Sequence, residues 1–168
     1  VEIRVAQGTY RPDRSQVYPD GTGDRLATFR LAGNIAICGG YAGCGAVDPN
    51  VRDTTTLATV LSGDLADDDV DVDQAIDLLD EASRFENCQH VVTVSYAEPN
   101  SVLDGLTITG SYERPAFSLE DTWGPVGGGL YAEHSKVTVR DCRFLGNMAG
   151  GGGAVWTDHC QVTVADCI

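Results

Sequence analysis

Apolar and polar residues alternate in short runs along this chain. Val1-Glu2-Ile3-Arg4-Val5, Thr28-Phe29-Arg30-Leu31, Thr59-Val60-Leu61-Ser62, His90-Val91-Val92-Thr93-Val94 and Val102 to Ile108 each fit β-strands, with Ile35-Ala36-Ile37 as a shorter one. Turn-forming clusters separate them: Gly33-Asn34, Gly39-Gly40-Tyr41-Ala42-Gly43 and Asp48-Pro49-Asn50. Three stretches break the pattern. Residues 11–25 read as a polar loop, 65–88 as an acidic insertion with helix formers, and 111–126 as a long excursion.

The last forty-two residues repeat. Gly128-Gly129-Leu130-Tyr131 aligns with Gly153-Ala154-Val155-Trp156, and Lys136-Val137-Thr138-Val139-Arg140-Asp141-Cys142 with Gln161-Val162-Thr163-Val164-Ala165-Asp166-Cys167, each 25 residues apart. A period of this length marks a solenoid whose repeats stack on one another. Each unit carries an alternating Val-Thr-Val strand and opens on glycines that permit tight turns. The expected fold is all-β, a right-handed single-stranded parallel β-helix. Rungs of about 25 residues predict five or six of them in one domain over 1–168, with the two insertions looped out.

Charge narrows the partners. The chain has 25 acidic and 11 basic residues, a net charge of −14, and Lys136 as its one lysine. Phosphate backbones and anionic membrane surfaces attract clustered Lys and Arg, so neither nucleic acid nor such a membrane is an expected partner. No apolar run approaches the roughly 18 residues that span a bilayer. Val1 to Val5 already reads as a strand and not as a signal peptide, which suggests a mature or trimmed product.

Six cysteines lack the C-x2-C spacing of a zinc site. Cys38 and Cys44 flank a glycine-rich turn that a local disulfide would close. Cys142 and Cys167 occupy equivalent places in successive rungs, about 4.8 Å apart, and admit either a disulfide or a ladder of free thiols. Both readings favour an exported protein.

Val5-Ala6-Gln7-Gly8-Thr9-Tyr10, Leu61-Ser62-Gly63-Asp64 and Leu103-Asp104-Gly105-Leu106-Thr107-Ile108 resemble the opening rungs of bacterial secreted β-helix proteins of the pectate-lyase-like superfamily. Gly128-Gly129-Leu130, Phe144-Leu145-Gly146-Asn147 and Gly152-Gly153-Ala154-Val155 resemble the GGA(I/L/V) and FxxN repeats of the polymorphic outer-membrane protein type. The likeness spans most of the chain outside the two insertions. It implies a secreted, extracellular or outer-envelope location. For function it implies adhesion or assembly, or else a polysaccharide lyase or glycoside hydrolase. Such proteins run for more rungs, so this chain reads as an N-terminal portion with an uncapped C-terminal end. That end would be continued by a longer polypeptide or covered by another chain or copies of itself.

Three constellations are candidates for chemistry. Asp69, Asp71, Asp73, Asp77 and Asp80, with the Ala75 carbonyl, fall at the oxygen-ligand positions of an EF-hand-type loop and make calcium the candidate cofactor. Gln74 stands where that loop wants glycine, and the competing reading is an acidic turn leading into a short amphipathic helix that packs Ile76, Leu78 and Leu79. Asp141 and Asp166 are repeat equivalents, as are His134 and His159, and Asp104 joins the acids if Val-Leu-Asp-Gly aligns with Val-Arg-Asp-Cys. Stacked carboxylates roughly 5 Å apart suit a retaining glycosidase. The lyase resemblance would add Arg140 or Arg143 as proton acceptor. Against both stands the ordinary use of Asp at turns. Tyr112, Phe117 and Trp123 on the 111–126 excursion would stack on sugar or close the core as a lid. The expected role is a surface binding or assembly module, with a carbohydrate-active enzyme as the alternative.

Overall fold

The computed structural model describes residues 1–113 and 126–168. The chain runs through β1 (Glu2–Ala6), β2 (Gly8–Tyr10) and β3 (Phe29–Arg30), then β4 (Ala36–Tyr41), β5 (Thr59–Ser62) and β6 (Val92–Ser95). It continues through β7 (Ser101–Asp104), β8 (Thr107–Thr109) and β9 (Leu130–Glu133), then β10 (Lys136–Arg140), β11 (Arg143–Leu145) and β12 (Val155–Asp158), ending with β13 (Gln161–Ala165). These form three sheets, ordered β1-β4-β7-β10-β13, β2-β5-β8-β11 and β3-β6-β9-β12. Every pairing between these strands is parallel. The protein is thus all-β with parallel sheets, and consecutive strands visit the three sheets in strict rotation.

Among the described residues rotation delivers four circuits and the first strand of a fifth, fewer than a uniform 25-residue rung predicts. In the five-stranded sheet Glu2 lies against Ala36, Ala36 against Val102, Ser101 against Val137 and Lys136 against Gln161. The intervals are therefore 34, 66, 36 and 25 residues. The excess sits in connections, chiefly between the second and third sheets.

Register stacks like on like. Ile3, Ile37, Leu103, Val139 and Val164 form one file across the first sheet. Tyr10, Leu61, Ile108 and Phe144 form the second, and Phe29, Val92, Leu130 and Val155 the third. In the middle circuits these residues are buried, with Leu103, Val139, Ile108, Val92 and Leu130 all at 0% exposure. Parallel strands place equivalent side chains directly over one another, so one aliphatic choice per rung builds a continuous core.

Two corners use the same two-residue device. Gly105-Leu106, Asp141-Cys142 and Asp166-Cys167 turn the chain from the first sheet to the second, or out of the first sheet at its last strand. The leading residue is left-handed each time, at φ 68°, 52° and 53°. His134-Ser135 and His159-Cys160 turn it back from the third sheet to the first, with φ 44° and 51°. Gly, Asp and His are among the residues that occupy this region most readily. The second residue of each pair turns inward, with Leu106, Cys142 and Ser135 buried.

The FxxN segment has a physical role in this scheme. Asn147 Nδ2 donates to the Ile108 carbonyl at 2.8 Å, and its Oδ1 accepts from the Ser111 amide and hydroxyl at 3.2 and 3.1 Å, tying one circuit to the one before. Gly129 lies so close that a Cβ there would meet the Ala154 carbonyl at 2.6 Å.

The acidic insertion forms short 3-10 turns at Ala75–Leu79 and Ala82–Arg84 instead of an amphipathic α-helix. Leu78 is buried with Tyr112 and Met148, and Leu79 packs against them, whereas Ile76 is 63% exposed. Tyr112 donates its hydroxyl to the Leu79 carbonyl at 2.8 Å, so it belongs to this small second core and offers no sugar platform. Phe117 and Trp123 lie outside the described residues. Among those residues no helix is long and apolar enough to cross a membrane.

Candidate functional site

No disulfide joins the cysteines in this structure, the candidates Cys38, Cys44, Cys142 and Cys167 included. Cys38 is buried while Cys44 is exposed. Cys142 and Cys167 stack in parallel register, where side chains run parallel and their Cβ atoms keep the strand spacing of about 4.8 Å. A disulfide brings Cβ atoms to about 3.8 Å. Each thiol instead donates to the carbonyl two residues back, Cys142 to Arg140 and Cys167 to Ala165, both at 3.2 Å. Burial pushes Cys142 and Cys88 up to about 12, so both stay protonated as small core residues.

Asp104 does not stack with Asp141 and Asp166. Its register partners are Cys38 and Arg140, and Gly105 holds the corner position equivalent to Asp141. The carboxylate is 2% exposed beneath the 42–58 connection. It accepts from Arg52 Nη2 at 2.5 Å and from Arg140 Nε and Nη2 at 2.8 and 2.7 Å. Burial alone would raise its pKa, but the two guanidinium groups together hold it below the usual carboxylate range. Asp104 is a structural ion-pair centre, and it spends Arg140, one of the two expected proton acceptors.

Asp141 and Asp166 are exposed, one strand spacing apart at the same corner. Beside them runs an open groove in two parts. Arg52, Asp53, Thr54 and Asp141 line about 400 Å3 of it. Thr54, Asp141, Arg143 and Asp166 help to line a further 250 Å3 or so. Arg143 thus shares the groove with both carboxylates.

The five acids of the expected calcium loop do not come together. Asp69 turns inward to Arg84 at 3.1 Å and accepts twice from Asn87 Nδ2 at 3.1 Å. Asp71, Asp73, Asp77 and Asp80 stay on the exposed side, as does Ala75. Asp64, Asp68 and Glu86 instead bring carboxylate oxygens within 4.8 Å of one another. Asp64 is itself occupied by the backbone amides of Asp67 and Asp68, at 2.6 and 3.2 Å.

Burial raises Asp69 to about 6 from its ordinary 3.8, outweighing the Asn87 and Arg84 contacts that oppose it. Between those values the folded protein keeps a proton that the unfolded chain has released. Stability should therefore fall as pH rises from about 4 to 6, by about 2–3 kcal/mol, and then level off. Urea unfolding of the wild type and Asp69→Asn at pH 4 and pH 7 checks this. A stability gap between the two proteins that does not change with pH would refute it.

The outer side of the third sheet and its corner carry two stacks of rings. His90, Tyr131 and Trp156 form one, with centroids 5.0 and 5.3 Å apart. Tyr96, His134 and His159 form the other, at 5.0 and 4.9 Å and nearly parallel. Glu133 and Asp158 lie in register between the stacks. The repeated dipeptides Glu133-His134 and Asp158-His159 signal this arrangement in the sequence. Tyr96 stands 38 residues before His134, so a 25-residue alignment misses it. No family model, curated protein or solved structure matches the chain.

Proposed function

We propose that the chain is a right-handed, single-stranded parallel β-helix serving as a binding or assembly module outside the cell or at its outer envelope. Rotation through three parallel sheets supports the helix, and the near-universal right hand of parallel crossovers supports its handedness. The surface location rests on the GGA and FxxN resemblance. The observation that carries the binding role is the regular outer side of the third sheet and its corner. There Tyr131 and Trp156 in one file, and Tyr96, His134 and His159 in the other, repeat at one rung spacing. Rings packed face to face leave their polar edges for a ligand, and a repeating row of such edges suits a repeating polymer such as an uncharged polysaccharide. At −14, the chain's charge disfavours a polyanion. The outer edges of β12 and β13 offer unpaired backbone groups to a further rung, from this chain or another, while Ile168 already pairs with the outer edge of β11 through the Phe144 amide. A glycan array tests the reading. Trp156→Ala should weaken retention of a neutral glycan at least tenfold, and equal retention by both proteins would sink it.

The groove at Asp141 and Asp166 favours a second reading, hydrolysis of a polysaccharide by two carboxylates one strand spacing apart. Asp141→Asn and Asp166→Asn should each abolish release of reducing ends while leaving the circular-dichroism spectrum unchanged. Turnover that survives both substitutions, or that is absent from the wild type, would discard the enzyme.

A further inference from the structure

His134 and His159 sit one circuit apart at the same left-handed corner, with their rings 4.9 Å apart and 19° from parallel. Asp158 precedes His159, and its Oδ1 lies 2.7 Å from His159 Nδ1. One ligand atom from each of the three residues lies within 4.8 Å of the other two. Solvent reaches them, His159 at 70% and Asp158 at 45% of the side chain.

We propose that His134, Asp158 and His159 form a binding site for a borderline divalent transition metal ion, of which zinc is the type. Two imidazoles and one carboxylate are the ligand chemistry of such ions, whereas calcium and magnesium prefer oxygen alone. Ligand atoms about 2.0–2.2 Å from a zinc ion lie roughly 3–3.5 Å apart, so binding requires the two stacked rings to tilt toward a common point, which their exposure allows. The corner supplies the orientation. His134 is stacked between Tyr96 and His159, so ring faces are engaged on their neighbours and ring nitrogens at the edges are left for a ligand.

The neighbouring rung shows why the trio is selective. Glu133 lies in register with Asp158, but its Oε2 accepts from the Tyr131 hydroxyl at 3.2 Å. Asp158 has no such tyrosine contact, its partner being His159 itself. Three protein ligands leave the remaining coordination positions to water or to an incoming ligand, the pattern of an open site. A bound ion would also clasp the third circuit to the fourth through their corners.

The test uses the chain without a histidine tag, stripped of metal by chelator. Calorimetric titration with zinc should show one ion per chain, and cobalt should give visible ligand-field absorption. Asp158→Asn should weaken zinc at least tenfold. His134→Asn and His159→Asn should each do the same, because asparagine tolerates the left-handed corner while removing the imidazole. The double variant should bind none. Absence of saturable zinc binding by the wild type overturns the proposal, as does unchanged affinity in the folded double variant. Metal alone is the probe, so a failure of glycan binding leaves this result untouched.

Discussion

Replacing Asp104 with alanine should destabilise the protein by about 3 kcal/mol, read as a lower urea midpoint at pH 7. The carboxylate is buried and accepts from two arginines, so its removal leaves Arg52 and Arg140 facing each other without their common anion. Their side chains are 32% and 52% exposed, and rehydration keeps the cost at the low end for a broken buried pair. Arg52 also donates to the Gly39 carbonyl at 2.9 Å, so the 42–58 connection should loosen with it. The pH signature is opposite to that of Asp69. A carboxyl held below its ordinary pKa contributes stability above about pH 4 that is lost as pH falls through its folded value. Asp104→Asn should therefore flatten the acid side of the stability profile. A midpoint within the error of wild type for Asp104→Ala would show that the arginines hold the loop without it.

Leu103→Ala should cost about 3–4 kcal/mol, near the middle of the range for fully buried leucine. Leu103 is 0% exposed and stacked between Ile37 and Val139, the central members of the first-sheet file. Neighbouring rungs are held by backbone ladders on both sides, so they cannot collapse into the space and a cavity remains. Thr163→Ala, on the exposed side of β13, should shift stability by less than about 0.5 kcal/mol. The contrast in denaturation midpoint checks both. Equal effects would mean that the inward file is not the core that holds the circuits together.

Strand positions and corners were legible in the residues because each rung obeys local rules. Alternation with period 2 reports which residues face inward, and the recurrent Asp-Cys and acid-His dipeptides report corners that need a left-handed residue. Asp141, Asp166, His134 and His159 could be matched from spacing alone, since the last full circuit contains no insertion. Asp104 could not. Val-Leu-Asp-Gly and Val-Arg-Asp-Cys look alike, yet pairing Leu103 with Val139 shifts the acid by one place and turns a presumed stack member into the anchor of Arg52 and Arg140.

The sequence by itself determined the all-β character, the parallel stacking of like residues and the acidic surface, because these follow from periodicity and composition. Tertiary structure alone decided circuit number, since insertions of unequal length stretch the intervals to 34, 66 and 36 residues without changing the strands they join. It also separated the acids of 69–80, because Asp69 finds Arg84 and Asn87 across the insertion. Parallel register set Cys142 level with Cys167 and Asp158 beside two stacked imidazoles. Contacts between circuits depend on which residues come level after the loops have been traversed, and no local pattern encodes that distance.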